Sequence, residues 1–192
     1  MKRQKQPAPA EKDISAKTRV EVLADIRRLE QAGDVNELGE YFIQLAKWGH
    51  QPQQYENLFS RYLTAPENYL REAAIFCLLF ALQIQKLEYR NAALVMAADE
   101  TEDVDVRRWA AAGLAVTYQS TRDQELLQVF FGLLEADEED KYLKISIAGD
   151  ILRVWGISAR EQSFRTGISA SLKAVLNEFR VELHAAKDAA NR

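Results

Sequence analysis

The sequence predicts an all-α fold: a right-handed α-solenoid of four to five antiparallel helical hairpins with a long C-terminal helical segment. Apolar residues recur every three to four positions along most of the chain, and no segment shows the alternation of a β-strand. Helix-capping residues recur at short intervals, and the short loops between them indicate antiparallel neighbours. Similar helical segments also recur about 36 residues apart, which is typical of stacked hairpins.

The composition is that of a globular domain and excludes several classes of site. The chain has 192 residues, of which 47% are hydrophobic and 28% charged, with a formal net charge of −4. A single cysteine excludes an internal disulfide framework and a cysteine-based zinc site. Two distant histidines provide little material for a metal centre. We therefore expect no metal and no cofactor.

The chain divides into a tail and one domain. Residues 1–13 combine basic side chains and prolines with few apolar residues, which predicts a disordered basic tail. Residues 14–188 form a single predicted helical-repeat domain, with the best repeats at 64–155. The basic start is not followed by the apolar run of a signal peptide, and the longest apolar run, 73–82, is too short to span a membrane. We expect a cytoplasmic protein without a membrane segment.

The predicted helices, in order, are 18–32, 35–48, 53–63, 66–85, 87–99, 104–118, 122–136, 140–155 and 159–186. Several of their starts have the form of a capping box, in which two side chains satisfy backbone N–H groups reciprocally. These pairs are Thr18 with Glu21, Thr64 with Glu67, Thr121 with Gln124, and Ser158 with Glu161.

Other residues mark further helix boundaries. Asp103 is predicted as an acidic N-cap, and Pro66 falls in a predicted first turn, where its missing N–H is harmless. Gly33, Gly49 and Gly156 stand where left-handed C-caps would end helices.

A period of 36 residues relates three small residues. Cys77, Gly113 and Gly149 follow one another at this spacing within similar helical segments. A small residue at a fixed helical position allows the next helix to approach closely. The sequence therefore predicts that successive hairpins stack in one orientation.

The segment Asp103-Val-Asp-Val-Arg-Arg-Trp-Ala-Ala-Ala-Gly-Leu114 resembles the second helix of a HEAT-like (armadillo-type) repeat, and segments 67–78 and 139–152 resemble it more loosely. HEAT, armadillo-like and tetratricopeptide-like forms remain open as the repeat class. The resemblance implies a role in binding proteins or, less often, nucleic acids. It also implies that Arg71 and Arg107 pair with acids in neighbouring turns.

Four residues on predicted second helices are candidate anchors for a partner: Trp109, Arg108, Trp155 and Arg153. Second helices line the concave face of such repeat folds, and exposed tryptophan beside arginine is typical of binding hot spots. The alternative is that the tryptophans fill gaps in the core.

Carboxylates are concentrated in two turns, 99–105 and 135–140, with five in each. In stacked hairpins these turns would form one acidic ridge that attracts a basic partner. Its candidate binding residues are Glu100, Glu102, Asp137, Glu138 and Glu139. The alternative is that the acids only cap helices and keep the surface soluble.

These patterns predict a non-enzymatic protein-binding module, an adaptor, assembly factor or inhibitor, whose partner has a basic surface. The alternative is a nucleic-acid-binding HEAT-like protein. A third class follows from the resemblance alone, because HEAT-like DNA glycosylases use a catalytic aspartate and tryptophans. Their strongly basic clefts contrast with the net charge of −4, so we expect no enzyme. A concave pocket that holds a carboxylate with a raised pKa would be the sign of this class.

Overall fold

The computed structural model describes residues 14–48, 53–136, 140–157 and 172–182, and this part of the chain is all-α, without a strand. A short 3₁₀ turn, Ile14–Ala16, precedes the first helix. The α-helices are α1 (Arg19–Ala32), α2 (Leu38–Lys47), α3 (Gln53–Ser60), α4 (Asn68–Ile75), α5 (Leu87–Ala98), α6 (Val104–Thr117), α7 (Gln124–Glu135), α8 (Lys141–Trp155) and α9 (172–182).

The helices pack in consecutive pairs, α1 with α2, α3 with α4, α5 with α6, and α7 with α8. The second members of these pairs, α2, α4, α6 and α8, also contact one another in succession. We call this set the row of second helices. It brings residues from four separate parts of the chain onto neighbouring helices, and it carries the grooves described below.

Hydrogen bonds between helices join residues about one helical pair apart. Arg19 donates to Gln54, 35 positions away, and Asn68 donates to Asp103 at the same separation. Arg90 donates to Asp123, 33 positions away. Each pair is thus tied to the next one along the chain.

Several predicted helix ends are confirmed. Thr18 and Glu21 form the reciprocal capping box at the start of α1, and Asp103 accepts from the backbone N–H of Asp105 at the start of α6. Gly33 and Gly156 end α1 and α8 in the left-handed conformation, with φ of 66° and 97°. The predicted caps at Gly49 and Ser158 lie outside the described residues.

The predicted capping box at Thr64 is wrong, because α4 begins only at Asn68 and its N-cap, Glu67, makes no side-chain cap. Pro66 accordingly lies ahead of the helix and not in its first turn. Arg71 explains the delay, since its guanidinium Nη1 donates to the backbone carbonyls of Ala65 and Pro66. These bonds hold the segment as a turn.

The predicted cap at Thr121 is also wrong. The Thr121 hydroxyl donates to the carbonyl of Tyr118, in the preceding turn. The cap of α7 is Asp123, whose carboxylate accepts from the backbone N–H of Leu126. Because Asp123 is closer to the helix, α7 begins at Gln124.

The predicted helix 66–85 changes its form midway. After Ile75 the chain continues as a π-helix, Phe76–Ala81, in which the N–H of Leu82 bonds to the carbonyl of Cys77, five residues back. Gln83, with a positive φ of 51°, follows the helical turns. Phe76 and Phe80, four positions apart in this segment, lie side by side, and their rings stack.

The three small residues of the 36-residue period lie in different environments, which corrects the prediction that they share one role. Cys77 is buried in the core. A Cβ added at Gly113 would lie 2.8 Å from the Cβ of Leu79, so this glycine does allow a close helix approach. A Cβ at Gly149 would meet no atom within 4 Å, because Gly149 faces an open groove.

Within the described part of the chain, none of the helices combines the length and the apolar character needed to cross a membrane.

Candidate functional site

Trp109 stands at the centre of an aromatic cluster on the row of second helices. Its ring meets the rings of Phe76 and Phe80 edge-on, with centroid distances of 4.8 and 5.3 Å. Phe76 and Phe80 stack on each other at 5.3 Å. Edge-to-face packing of this kind fixes the orientation of a ring, so the indole is held in place by the π-helical segment.

A groove of about 690 Å³ lies between α6 and α8, on one side of Trp109. We call it the α6–α8 groove. Three small residues, Ala112, Ser146 and Gly149, contribute to its lining and leave it open. The charged side chains that line it are Arg108, Asp150 and Arg153.

Asp150 is the most unusual residue of this groove. It is only 5% exposed, and its Oδ2 atom has no hydrogen-bond partner among the residues that the structure describes. Its Oδ1 atom lies 3.7 Å from Nη1 of Arg153, which is longer than a hydrogen bond. Burial raises the pKa of Asp150 to about 7, against a smaller opposite effect of Arg153. Both protonation states of this carboxyl are therefore populated near neutral pH.

A second groove, of about 510 Å³, lies on the other side of Trp109. We call it the α2–α4 groove. Tyr69, Phe76 and Trp109 give it an aromatic wall. The charged side chains that line it are Glu40, Lys47 and Glu72. Burial, and then the charge of Asp105, raise the pKa of Glu72, while a hydrogen bond with the side chain of Trp109 acts in the opposite direction. Trp109 thus lies between two carboxyl groups with raised pKa values.

Three of the four predicted anchors come together in the α6–α8 groove: Trp109, Arg108 and Arg153. Arg108 is half exposed, pairs with Asp105 at 2.9 Å, and lies over the Trp109 ring at 6.0 Å. Arg153 is similarly exposed at the edge of the groove. Both arginines can therefore reach a bound partner.

Trp155 lies elsewhere. It is 5% exposed and packs edge-on against Phe179 of α9, with 6.3 Å between centroids. The guanidinium of Arg122 covers its ring at 4.5 Å. In this structure Trp155 helps to hold α9 and does not line either groove.

Carboxylates of the 99–105 turn serve mainly internal contacts. Glu102 accepts two hydrogen bonds from Arg71, at 2.8 and 2.5 Å, as the resemblance implied for this arginine. Asp99 accepts from Thr101, and Asp105 pairs with Arg108.

Glu100 is exposed, and Asp103 caps α6. Asp137, Glu138 and Glu139 lie outside the described residues. The buried Arg107 donates from Nε to the carbonyl of Ala97. The acidic turn that the structure describes is therefore largely occupied by its own caps and ion pairs.

Sequence reasoning missed Asp150 and Glu72 as candidate site residues. A signal exists for Asp150, because it follows Ile147 and Ala148 on the apolar stripe of α8 and precedes Ile151. An acid on a buried stripe needs either a partner or a function. No comparable signal marks Glu72, whose environment depends on the packing of α4 against α6.

No three histidine, cysteine or acidic side chains lie close enough to hold a metal ion in the described ranges. Comparisons of the chain with protein-family models, with curated proteins and with solved structures find no match.

Proposed function

We propose that this chain is a non-enzymatic protein-binding module, and that a segment of its partner lies along the row of second helices. The observation that carries the proposal is the position of Trp109, which is held rigidly between two open grooves and beside Arg108. Rigid aromatic side chains next to arginine are the usual anchors of protein interfaces. A pre-formed surface loses little ordering entropy on binding.

The proposal includes a HEAT-like, right-handed α-solenoid as the scaffold. Its supports are the paired helices, the continuous contacts along α2, α4, α6 and α8, and hydrogen bonds that reach about one helical pair along the chain. In such a scaffold the row of second helices is the concave face.

The charges of the grooves favour a protein partner over a nucleic acid. The cations Arg108 and Arg153 each lie beside an acid of the chain. The other charged side chains that line the two grooves are Glu40, Lys47, Glu72 and Asp150. Nucleic-acid binding depends on a continuous basic surface that neutralises several phosphates. Mixed charges beside an aromatic cluster suit a polypeptide better.

A glycosylase-like enzyme would hold a carboxylate with a raised pKa in a concave pocket. Asp150 meets this expectation, since it lies in a groove and its pKa is about 7. The described lining of that groove contains no histidine, no cysteine and no second carboxylate. General acid–base chemistry at Asp150 would thus have no partner group on the groove wall. For this reason we keep the non-enzymatic proposal.

We propose that the carboxylates of segment 135–140 steer a basic partner towards the grooves. Replacing Asp137, Glu138 and Glu139 with lysine should slow association with such a partner and make it less dependent on salt. A nucleic acid would show the reverse, with binding unchanged or tighter after the replacement and steeply weakened by salt.

Affinity capture from the native host tests the main proposal. The baits are the wild-type chain, Gly149→Leu, which fills the α6–α8 groove, and Gly132→Leu on α7 as the matched control. Both glycines have open space around an added Cβ. We expect a protein that is retained by wild type and by Gly132→Leu but lost with Gly149→Leu. Equal capture by all three baits would contradict binding in this groove.

A further inference from the structure

Asp150 is a buried acceptor for which the described part of the chain supplies no donor to Oδ2. Its Oδ2 atom is inaccessible to solvent and has no hydrogen-bond partner in the described ranges, while the residue as a whole is 5% exposed. Buried polar atoms in folded proteins are nearly always paired, because an unpaired one loses its hydration without compensation. A hydrogen-bond donor to Oδ2 would therefore stabilise Asp150, and the described part of the chain does not supply one.

The groove leaves room for such a donor. A Cβ at the neighbouring Gly149 would meet nothing within 4 Å, and the adjacent lining residues Ala112 and Ser146 are small. Any side chain larger than glycine at position 149 would narrow this opening. The path to Asp150 is thus formed by residues whose common property is small size.

The two cations of the groove do not satisfy Asp150. Arg153, on the same helix, stays 3.7 Å from Oδ1, and Arg108, on α6, is drawn to Asp105 at 2.9 Å. Helix α7, which also packs against α8, contributes no residue to the lining. Neither arginine therefore donates a hydrogen bond to this carboxylate, which leaves it available to a donor from a partner.

We propose that the α6–α8 groove receives one basic side chain of a partner polypeptide, an ammonium or guanidinium group that enters over Gly149 and donates to the carboxylate of Asp150, whose rotation about χ2 turns Oδ2 into the groove. A lysine or arginine brings both the missing donor and a compensating charge, which a neutral donor does not. Its aliphatic stem would pack against Trp109. The inference rests on the proposed function and specifies the chemistry of the partner.

Binding of this kind depends on pH. A cation binds the ionised form of Asp150, whose pKa in the free protein is about 7. The affinity should therefore rise with pH up to about 7 and level off above it. Below that value it should fall by as much as about tenfold per pH unit.

Selection from a display library of random peptides tests the inference with the full chain as bait. We expect the peptides that bind wild type to share a lysine or arginine position. A synthetic copy of one such peptide should bind Asp150→Asn and Gly149→Leu about tenfold or more weakly, and Gly132→Leu unchanged. Replacing its basic residue with norleucine or citrulline should weaken binding to wild type but not further weaken binding to Asp150→Asn.

The outcomes separate the two proposals. Two outcomes would overturn the inference and leave the protein-binding function intact. In the first, the peptides lose affinity for Gly149→Leu but share no basic residue. In the second, they bind Asp150→Asn as well as wild type. A library that yields no peptide dependent on the groove would overturn both. Competition by single-stranded DNA for the same groove would overturn both in favour of the nucleic-acid alternative. Circular dichroism melts of each variant verify that it is folded, and the pH profile on wild type needs no variant.

Discussion

Gly113 of α6 lies against Leu79 of the π-helical segment so closely that a Cβ at position 113 would be 2.8 Å from the Cβ of Leu79. Two non-bonded carbon atoms do not tolerate that distance without movement. Since both residues belong to the buried contact between the π-helix and α6, the neighbouring helix would have to shift.

Alanine at three glycines should therefore give opposite changes in stability. Gly113→Ala should lower the free energy of unfolding by about 1–3 kcal/mol through overpacking. Gly149→Ala and Gly132→Ala have open surroundings and should raise it by about 0.5–1 kcal/mol, because alanine favours the helix. Urea denaturation of the three variants measures these changes. Equal effects at Gly113 and Gly149 would contradict the different environments described for them.

Asp150 should reduce the stability of the folded protein above neutral pH. Its folded pKa of about 7 lies above the ordinary value of 3.8, so the folded protein binds more protons than the unfolded chain between these values. Stability must then fall as the pH rises from about 4 to about 7. Asp150→Asn should remove this loss, a gain on the order of 2–4 kcal/mol at pH 8.

The measurement is denaturant unfolding of wild type and Asp150→Asn at several pH values. The two curves should converge below about pH 3, where the wild-type carboxyl is protonated in both states. A constant difference at all pH values would show that the titration of Asp150 is not its cause. Asp99→Asn provides a control at an exposed acid, whose pKa is lowered by hydrogen bonds from Thr101.

The ion pair of Arg71 and Glu102 should matter more than a surface salt bridge. Both side chains are largely buried, at 18% and 11% exposure, and Arg71 also holds the turn before α4 through two backbone carbonyls. Arg71→Ala should therefore lower the free energy of unfolding by about 3 kcal/mol. Arg71→Lys should not restore it, because an ammonium cannot make the forked contact.

A double-mutant cycle with Glu102→Gln measures the coupling within this pair. We expect a positive coupling energy and an additional loss that belongs to Arg71 alone, from the turn carbonyls. Arg61 and Glu30, which form a more exposed pair at 2.9 Å, serve as the comparison and should give about 0–1 kcal/mol.

Cys77 should not react with thiol reagents in the folded protein. The residue is buried, and burial raises the pKa of its thiol, so the reactive thiolate is scarce at any ordinary pH. Labelling should therefore require unfolding, and its rate should follow the stability of the variants above. Rapid labelling of the native chain at neutral pH would contradict the described core.

Much of the fold follows from local patterns in the sequence. The apolar periodicity and the caps at Thr18, Asp103 and Gly156 indicate helices close to those observed, because each depends on neighbours within one or two turns. The misplaced start at Thr64 has a different cause. Arg71 holds the preceding turn by bonding to Glu102, 31 positions away, and no local pattern contains such a contact.

The candidate site is only partly visible in the sequence. Arg108, Trp109 and Arg153 were predicted together because helical repeats place second helices side by side. The π-helix that orients Trp109, and the environment of Asp150, both depend on how α4, α6 and α8 pack. The burial of Trp155 likewise depends on packing between helices, since no local pattern in the sequence indicates that α9 covers it.

The polar contacts that attach α9 join residues farther apart in the sequence than the hydrogen bonds between the other helices do. Arg122 contacts Glu178 and Glu182 across 56 and 60 positions, and all three side chains are substantially exposed. Salt screens such exposed charges, so the buried packing of Phe179 against Trp155 carries most of the attachment. Release of α9 would expose Trp155 to solvent. The indole fluorescence of Trp155 therefore reports whether α9 is packed against α8.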